Sequence, residues 1–188
     1  GYVDLTLIIS NKGTIYNKPF LNIKGLPIFD KEEQAKYVKD WREQYVGQAV
    51  AVLRPVNTKE VSSILKFAHK NKIDVVPQGG NTSLCGAATP DQTGKSIIIS
   101  LEKMNNVRAF NKEAQTITVD SGMILSKIHE IVEEQNLFFP LSLGAQGSCM
   151  IGGNLSTNAG GVNVLKYGNT RELCLGLEVV LPDGKIMN

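Results

Sequence analysis

Glycine set among small uncharged donors lets backbone close around an anion, and the combination occurs twice in this chain. The first stretch is Pro77-Gln-Gly-Gly-Asn-Thr-Ser-Leu-Cys-Gly86, and the second is Leu143-Gly-Ala-Gln-Gly-Ser-Cys-Met-Ile-Gly-Gly-Asn-Leu-Ser-Thr-Asn-Ala-Gly-Gly161. Glycine is costly to order in a regular element, so such runs mark backbone with unusual dihedrals or backbone that must approach a ligand closely. Asn81, Thr82, Ser83, Ser148, Asn154, Thr157 and Asn158 place donors and acceptors between the glycines. Gly79-Gly80-Asn81-Thr82 can turn consecutive peptide N–H groups toward one point as a nest, with Gly80 expected to take positive φ, and a pyrophosphate fits such a nest. The expected ligand is long, polar and phosphate-bearing.

Other chemistry finds little support. There is no Gly-x-x-x-x-Gly-Lys-Ser/Thr loop and no Gly-x-Gly-x-x-Gly, which argues against nucleotide hydrolysis and against a nicotinamide cofactor bound in the usual way. His69 and His129 fall on amphipathic helices, where a solvated or packed ring is the ordinary role. Cys85 and Cys149 have no histidine beside them in sequence and read as small packing residues. The carboxylates are scattered, so no acid–base pair and no catalytic residue can be nominated.

Composition narrows the classes further. Twenty Lys and Arg stand against 18 Asp and Glu, a net charge of +2 with no basic stripe, so nucleic acid is not an expected partner. The three cysteines are far apart, which supports neither a disulfide framework nor a metal site. The opening residues lack a basic start and a cleavage site, and no apolar run approaches the roughly 20 residues that span a bilayer. A cytoplasmic protein without a transmembrane segment is expected.

The elements that must position the glycine stretches can be read from periodicity. Asp30 to Trp41 reads as a short surface helix, and Tyr45 to Leu53 as a buried strand stopped by Arg54-Pro55. Asn57 and Glu60 form a capping-box signature, followed at helical spacing by Val61, Ile64, Leu65 and Ala68 to a helix end near Asn71. Ile73 to Val76 is a strand feeding the first glycine stretch, so strand, helix and strand make one parallel crossover unit, and ligands gather at such strand exits. Ser96 to Ser100 and Thr116 to Val119 are further strands, and Leu125 to Gln135 is a second helix. Leu175 to Leu181 is another strand, Pro182-Asp183-Gly184 a turn, and Lys185 to Asn188 a returning strand cut short mid-fold.

The first stretch, together with Gly147 to Gly168, resembles the FAD-binding domain of the vanillyl-alcohol oxidase and p-cresol methylhydroxylase superfamily. Ala51-Val-Leu-Arg-Pro55 and Gly176-Leu-Glu-Val-Val-Leu-Pro-Asp-Gly184 make it most similar to the D-2-hydroxyglutarate and D-lactate dehydrogenase branch. The resemblance implies a truncated α+β domain of two FAD-binding subdomains with a βαβ unit in the first. Residues 1–25 are then a lead-in, 26–104 the first subdomain and 105–188 the second, incomplete at its carboxyl end. FAD would lie noncovalently between them, the first stretch at the pyrophosphate and the second along the ribityl chain and isoalloxazine. The binding positions carried over are Gln78, Gly79, Gly80, Asn81, Thr82, Gly86, Pro140, Gly144, Ser148, Gly152, Gly153, Asn154, Thr157 and Asn158. Ala87 and Cys85 depart from the usual glycine and valine.

The implied reaction oxidises a D-2-hydroxy acid to the 2-oxo acid by hydride transfer to flavin N5, with electrons leaving to a separate protein or quinone acceptor. Substrate-binding and metal-binding residues of such enzymes lie beyond the position of Asn188. An oxidase of another alcohol and a non-catalytic flavin-binding module are the alternatives.

Overall fold

The computed structural model describes residues 3–5, 21–25 and 27–188. Near the start of the chain, β1 (Val3–Leu5) and β2 (Leu21–Ile23) pair antiparallel with Val3 opposite Ile23, and the intervening residues lie outside the described ones. The helix read from Asp30 to Trp41 shrinks to one turn, α1 (Lys31–Gln34), capped by the Asp30 carboxylate on the Glu32 and Glu33 N–H groups. Side chains competing for backbone end it. Gln34 donates to the carbonyls of Ile28 and Phe29, and buried Asp40 accepts from the N–H groups of Arg42 and Tyr45, folding the segment into turns.

The crossover unit is present with a strand inserted. β3 (Ala51–Leu53), α2 (Thr58–Asn71), β4 (Val75–Gln78) and β5 (Ile97–Ser100) give a parallel sheet in the order β3-β5-β4, so β5 separates the two strands that α2 connects. Both faces of the sheet are covered, which is why its strands are apolar without alternation. Ala51, Leu53, Ile97 and Ile99 pack with Ile64 and Ala68 of α2, while Val52 and Ile98 face Ile28, Tyr37 and Ala49. Asn57 caps α2 through the Glu60 N–H as expected, but Glu60 reaches back to the N–H groups of Val56 and Lys24 instead of closing the reciprocal box.

The remainder of the chain begins with a hairpin, β6 (Val107–Asn111) against β7 (Thr116–Val119), and continues into α3 (Leu125–Glu133). Then follow α4 (Ile151–Thr157), α5 (Val164–Tyr167), a 3-10 turn at Thr170–Leu173, and a last hairpin, β8 (Val179–Val180) with β9 (Ile186–Met187). Its core joins Met123, Leu125, Ile128, Val132 and Leu141 to Cys149 and Ile151 of the second glycine stretch. The strand read from Leu175 narrows to two residues, and Leu175 and Leu177 stand exposed. The last hairpin returns to α2, where Ser62 donates to the Gly184 carbonyl at 2.5 Å.

Candidate functional site

β4 delivers the chain into the first glycine stretch at Gln78, which is buried. Its amide donates to the carbonyls of Tyr37 at 2.8 Å and Ala88 at 2.7 Å, so one side chain ties the start of the loop to its end. A Cβ on Gly80 would lie 2.1 Å from the Ser148 carbonyl oxygen, so glycine there lets the two stretches touch backbone to backbone. The positive φ expected at Gly80 falls instead on Asn81, at 52°. Asparagine tolerates that region through local hydrogen bonding, and Asn81 Nδ2 donates to the Lys39 carbonyl at 2.7 Å. Ser83 Oγ is likewise engaged, 3.0 Å from Cys85 Sγ, whereas the Thr82 hydroxyl has no partner among the described residues. Gly86, at φ 67°, sits under the Tyr45 ring.

The second stretch rides on residues 121–125. Gly152 N–H donates to the Ser121 carbonyl, Ile151 N–H to Met123 and Leu125 N–H to Cys149, and Ile124 bridges Met150. Sequence reading treated this stretch as open loop, yet α4 runs through Gly152 and Gly153. Burial of Ile151 and Asn154 offsets the helix cost of about 1 kcal/mol per glycine. Glycine at 152 is required by packing, since a Cβ would fall 2.7 Å from Ser121 Cβ. Asn158 ends α4 at φ 50° and accepts from the Arg171 N–H, while Thr157 Oγ1 bonds back to the Gly153 carbonyl. Around Gly144, Gly147 and Gly153 a Cβ would meet nothing within 4 Å. Pro140 contributes its carbonyl to the Asn163 amide.

An open cleft of about 260 Å³ separates the two stretches. Gln78, Gly79, Gly80 and Asn81 form one wall, and Gly147, Ser148 and Met150, with Ile124, form the other. Ser100, the last residue of β5, Glu102 just past it, and Lys36 and Tyr37 complete the lining. Tyr37 donates to Glu102 at 2.9 Å, Glu102 pairs with Arg54 at 3.3 Å, and the Lys36 ammonium lies 4.7 Å from the Tyr37 ring centre. Burial, ahead of these contacts, raises the Tyr37 pKa, so the phenol keeps its proton. A depression of about 350 Å³ at Lys31, Gln34, Val38, Gly47 and Gln48 touches neither glycine stretch.

Of the positions read from sequence, Gln78, Gly79, Gly80, Asn81 and Ser148 line the cleft. Thr82, Gly86, Pro140, Gly144, Gly152, Gly153, Asn154, Thr157 and Asn158 stand outside its lining. Sequence reading missed Lys36, Tyr37, Ser100, Glu102, Ile124, Gly147 and Met150. The exit of the middle strand could have pointed to Ser100 and Glu102, since sites form at such carboxyl ends.

The polar groups fit an extended phosphate-bearing ligand. Among the described residues, the N–H groups of Gly80, Asn81, Thr82, Ser83 and Gly147 have no protein acceptor. The buried Asn154 Oδ1 also lacks a partner. No group of three or more His, Cys, Asp or Glu among the described residues could hold a metal ion. No helix among them is long and apolar enough to cross a membrane.

The FAD binding domain family matches residues 49–188. This chain belongs to that family. It is 43% identical over 157 residues to the D-2-hydroxyglutarate–pyruvate transhydrogenase of Saccharomyces cerevisiae, covering 84% of this chain and 31% of that protein. With the mitochondrial D-2-hydroxyglutarate dehydrogenase of Bos taurus it shares 43% over 166 residues, covering 88% and 30%. A putative mitochondrial D-lactate dehydrogenase of Schizosaccharomyces pombe is 43% identical over 149 residues, covering 79% and 28%. The chain therefore spans about a third of the length of these relatives.

Among solved structures, 6-hydroxy-D-nicotine oxidase from Arthrobacter nicotinovorans superposes with a TM-score of 0.76 at 18% identity, covering 88% of this chain and 35% of that one. Alkyldihydroxyacetonephosphate synthase gives 0.76 at 20%, covering 83% and 30%. These likenesses show the fold, the α+β FAD-binding domain of the p-cresol methylhydroxylase type. An oxidase and a synthase on one scaffold also show that the fold does not select the reaction.

Proposed function

We propose that this chain is the FAD-binding part of a dehydrogenase that oxidises a D-2-hydroxy acid, D-2-hydroxyglutarate or D-lactate, to the 2-oxo acid. The observation that carries the reading is the cleft between two glycine stretches that touch at Gly80 and Ser148 and present unpartnered N–H groups. The names of relatives at 43% identity supply the substrate class. The N–H groups from Gly80 to Ser83 would hold the pyrophosphate, with the Thr82 hydroxyl as a further donor. Gly147, Ser148 and Met150 would line the ribityl and ring portion. Bound flavin would supply a two-electron acceptor, its N5, for the substrate hydride.

The chain's own task is to bind and orient. Gln78 and Asn81 spend their amides on protein carbonyls, so they hold the loop while its backbone faces the ligand. Binding is read as noncovalent because the first stretch has no histidine and Cys149 is a buried thiol whose pKa desolvation pushes up, so that flavin retained after acid treatment would implicate the exposed Cys85 first. Acid precipitation then leaves a colourless pellet. Electrons pass from the flavin to a separate protein, quinone or small oxo-acid acceptor, the last suggested by the transhydrogenase named among the relatives.

The deciding experiment mixes FAD-loaded full-length protein anaerobically with D-2-hydroxyglutarate, D-lactate and their L-enantiomers. Bleaching of the flavin band by a D-acid alone is expected. Reduction by none of them, with reduction by another alcohol, would replace the hydroxy-acid reading with the alcohol-oxidase one.

A further inference from the structure

Arg108 lies outside the cleft, yet three other segments converge on it. From β6 it donates through Nε to Asp120 at 2.5 Å, through Nη1 to Glu178 at 2.7 Å and through Nη2 to Thr58 Oγ1 at 3.0 Å. Thr58 opens α2 in the first subdomain, Asp120 follows β7, and Glu178 precedes β8. Thr58 in turn donates to Glu178, and Asp120, only 5% exposed, takes both the N–H and the Nδ2 of Asn106. A planar guanidinium fork serves three fixed acceptors at once, which a lysine ammonium on its flexible stem does not reproduce.

Asp120 begins the strap that carries the second glycine stretch. On one side the strap is pressed against the chain leaving β5. Gly122 N–H donates to the Met104 carbonyl, and a Cβ on Gly122 would lie 1.9 Å from the Leu101 carbonyl oxygen. On its other side the strap bonds Gly152, Ile151 and Cys149 through Ser121, Met123 and Leu125. A shift of Asp120 therefore carries to Ser148, whose carbonyl meets Gly80 across the cleft.

We propose that Arg108 is a positioning residue: by clamping Asp120 to Thr58 and Glu178, it fixes the strap and so the spacing between the two glycine stretches. The clamp names what sets the width of the cleft, and it rests on the flavin reading only for its ligand arm. Exposed ion pairs contribute little, but loss of Arg108 leaves a buried carboxylate supported by Asn106 alone.

Arg108→Met and Arg108→Lys test the clamp in the 188-residue chain, first by amide hydrogen exchange without ligand. Arg108→Met should speed exchange at Leu125, Ile151 and Gly152 by about ten-fold, leaving Val52 and Ile98 in the parallel sheet unchanged, with Arg108→Lys in between. If Arg108→Met unfolds, shown by fast exchange throughout, the lysine variant decides by the same amides. The second arm is FAD titration, where Kd should rise by about ten-fold and the rise should persist in 0.5 M salt, which screens simple attraction of an anion. Unchanged exchange at those three amides, or a Kd difference erased by salt, overturns the proposal. A wild-type chain that binds no FAD counts against the flavin reading, and the exchange arm then decides the clamp by itself.

Discussion

Gly80 and Gly86 of the first stretch are glycines because protein is in the way, the Ser148 carbonyl in one case and the Tyr45 ring in the other. Gly144, Gly147 and Gly153 of the second have nothing within 4 Å of the position a Cβ would take. The same residue type thus answers two demands. In the first loop it permits close packing that brings the two stretches together. At those three positions of the second, no contact among the described residues requires it, whereas Gly152 and Gly161 of the same stretch are held close by Ser121 and the Ser142 carbonyl; a Cβ on Gly79 would lie 3.8 Å from Gly153 Cα. A glycine whose neighbour is not protein is the better candidate for direct ligand approach.

The largest expected effect is that of Gly80→Val. Its side chain must displace the Ser148 carbonyl, so both fold and site suffer: a stability loss of about 2–4 kcal/mol, read by thermal or urea unfolding, and loss of FAD binding. A variant that melts like wild type would break the contrast between the stretches. Gly153→Ala should do the opposite to stability. Alanine in a helix interior gains about 0.5–1 kcal/mol over glycine, while a methyl group projecting into space that no described residue fills within 4 Å should weaken FAD binding. Raised stability with unchanged FAD affinity would show that Gly153 does not border the ligand.

The two thiols sharpen the same comparison with a smaller effect. Cys85 is exposed, and the Ser83 hydroxyl, with the Ala87 N–H adding to it, lowers its pKa. Cys149 is buried and its thiol is held up by desolvation. A disulfide reagent near neutral pH should modify Cys85 first, because the thiolate is the reactive form, and Cys149 only as the chain opens. Equal rates, measured by peptide mapping, would place the second stretch in a far looser state than the packing around Leu125 and Ile151 allows.

Local signals were legible in the sequence and long-range ones were not. Asn57 and the Ile64 to Ala68 spacing mark α2 because capping and amphipathic period act within a few residues. The insertion of β5 between β3 and β4 depends on pairing across the chain, which no local pattern records. The helix through Gly152 and Gly153 was hidden because glycine propensity argues against it, and tertiary burial decided otherwise. Tyr37 joined the cleft through a hydrogen bond to Glu102, 65 positions away, and its own segment carried no sign of it. The glycine stretches themselves were visible, but composition could not separate loop-holding side chains such as Asn81 from backbone that faces the ligand.

The most direct test of the central claim is residue-resolved amide exchange of the wild-type chain with and without FAD. Among the described residues the N–H groups of Gly80, Asn81, Thr82, Ser83 and Gly147 have no acceptor, so they should exchange fast in the free chain and slow markedly in the complex. Slowing at both stretches together is the predicted result. FAD binding that leaves these amides unprotected, or that protects only the depression around Lys31, Gln34 and Gln48, would contradict it.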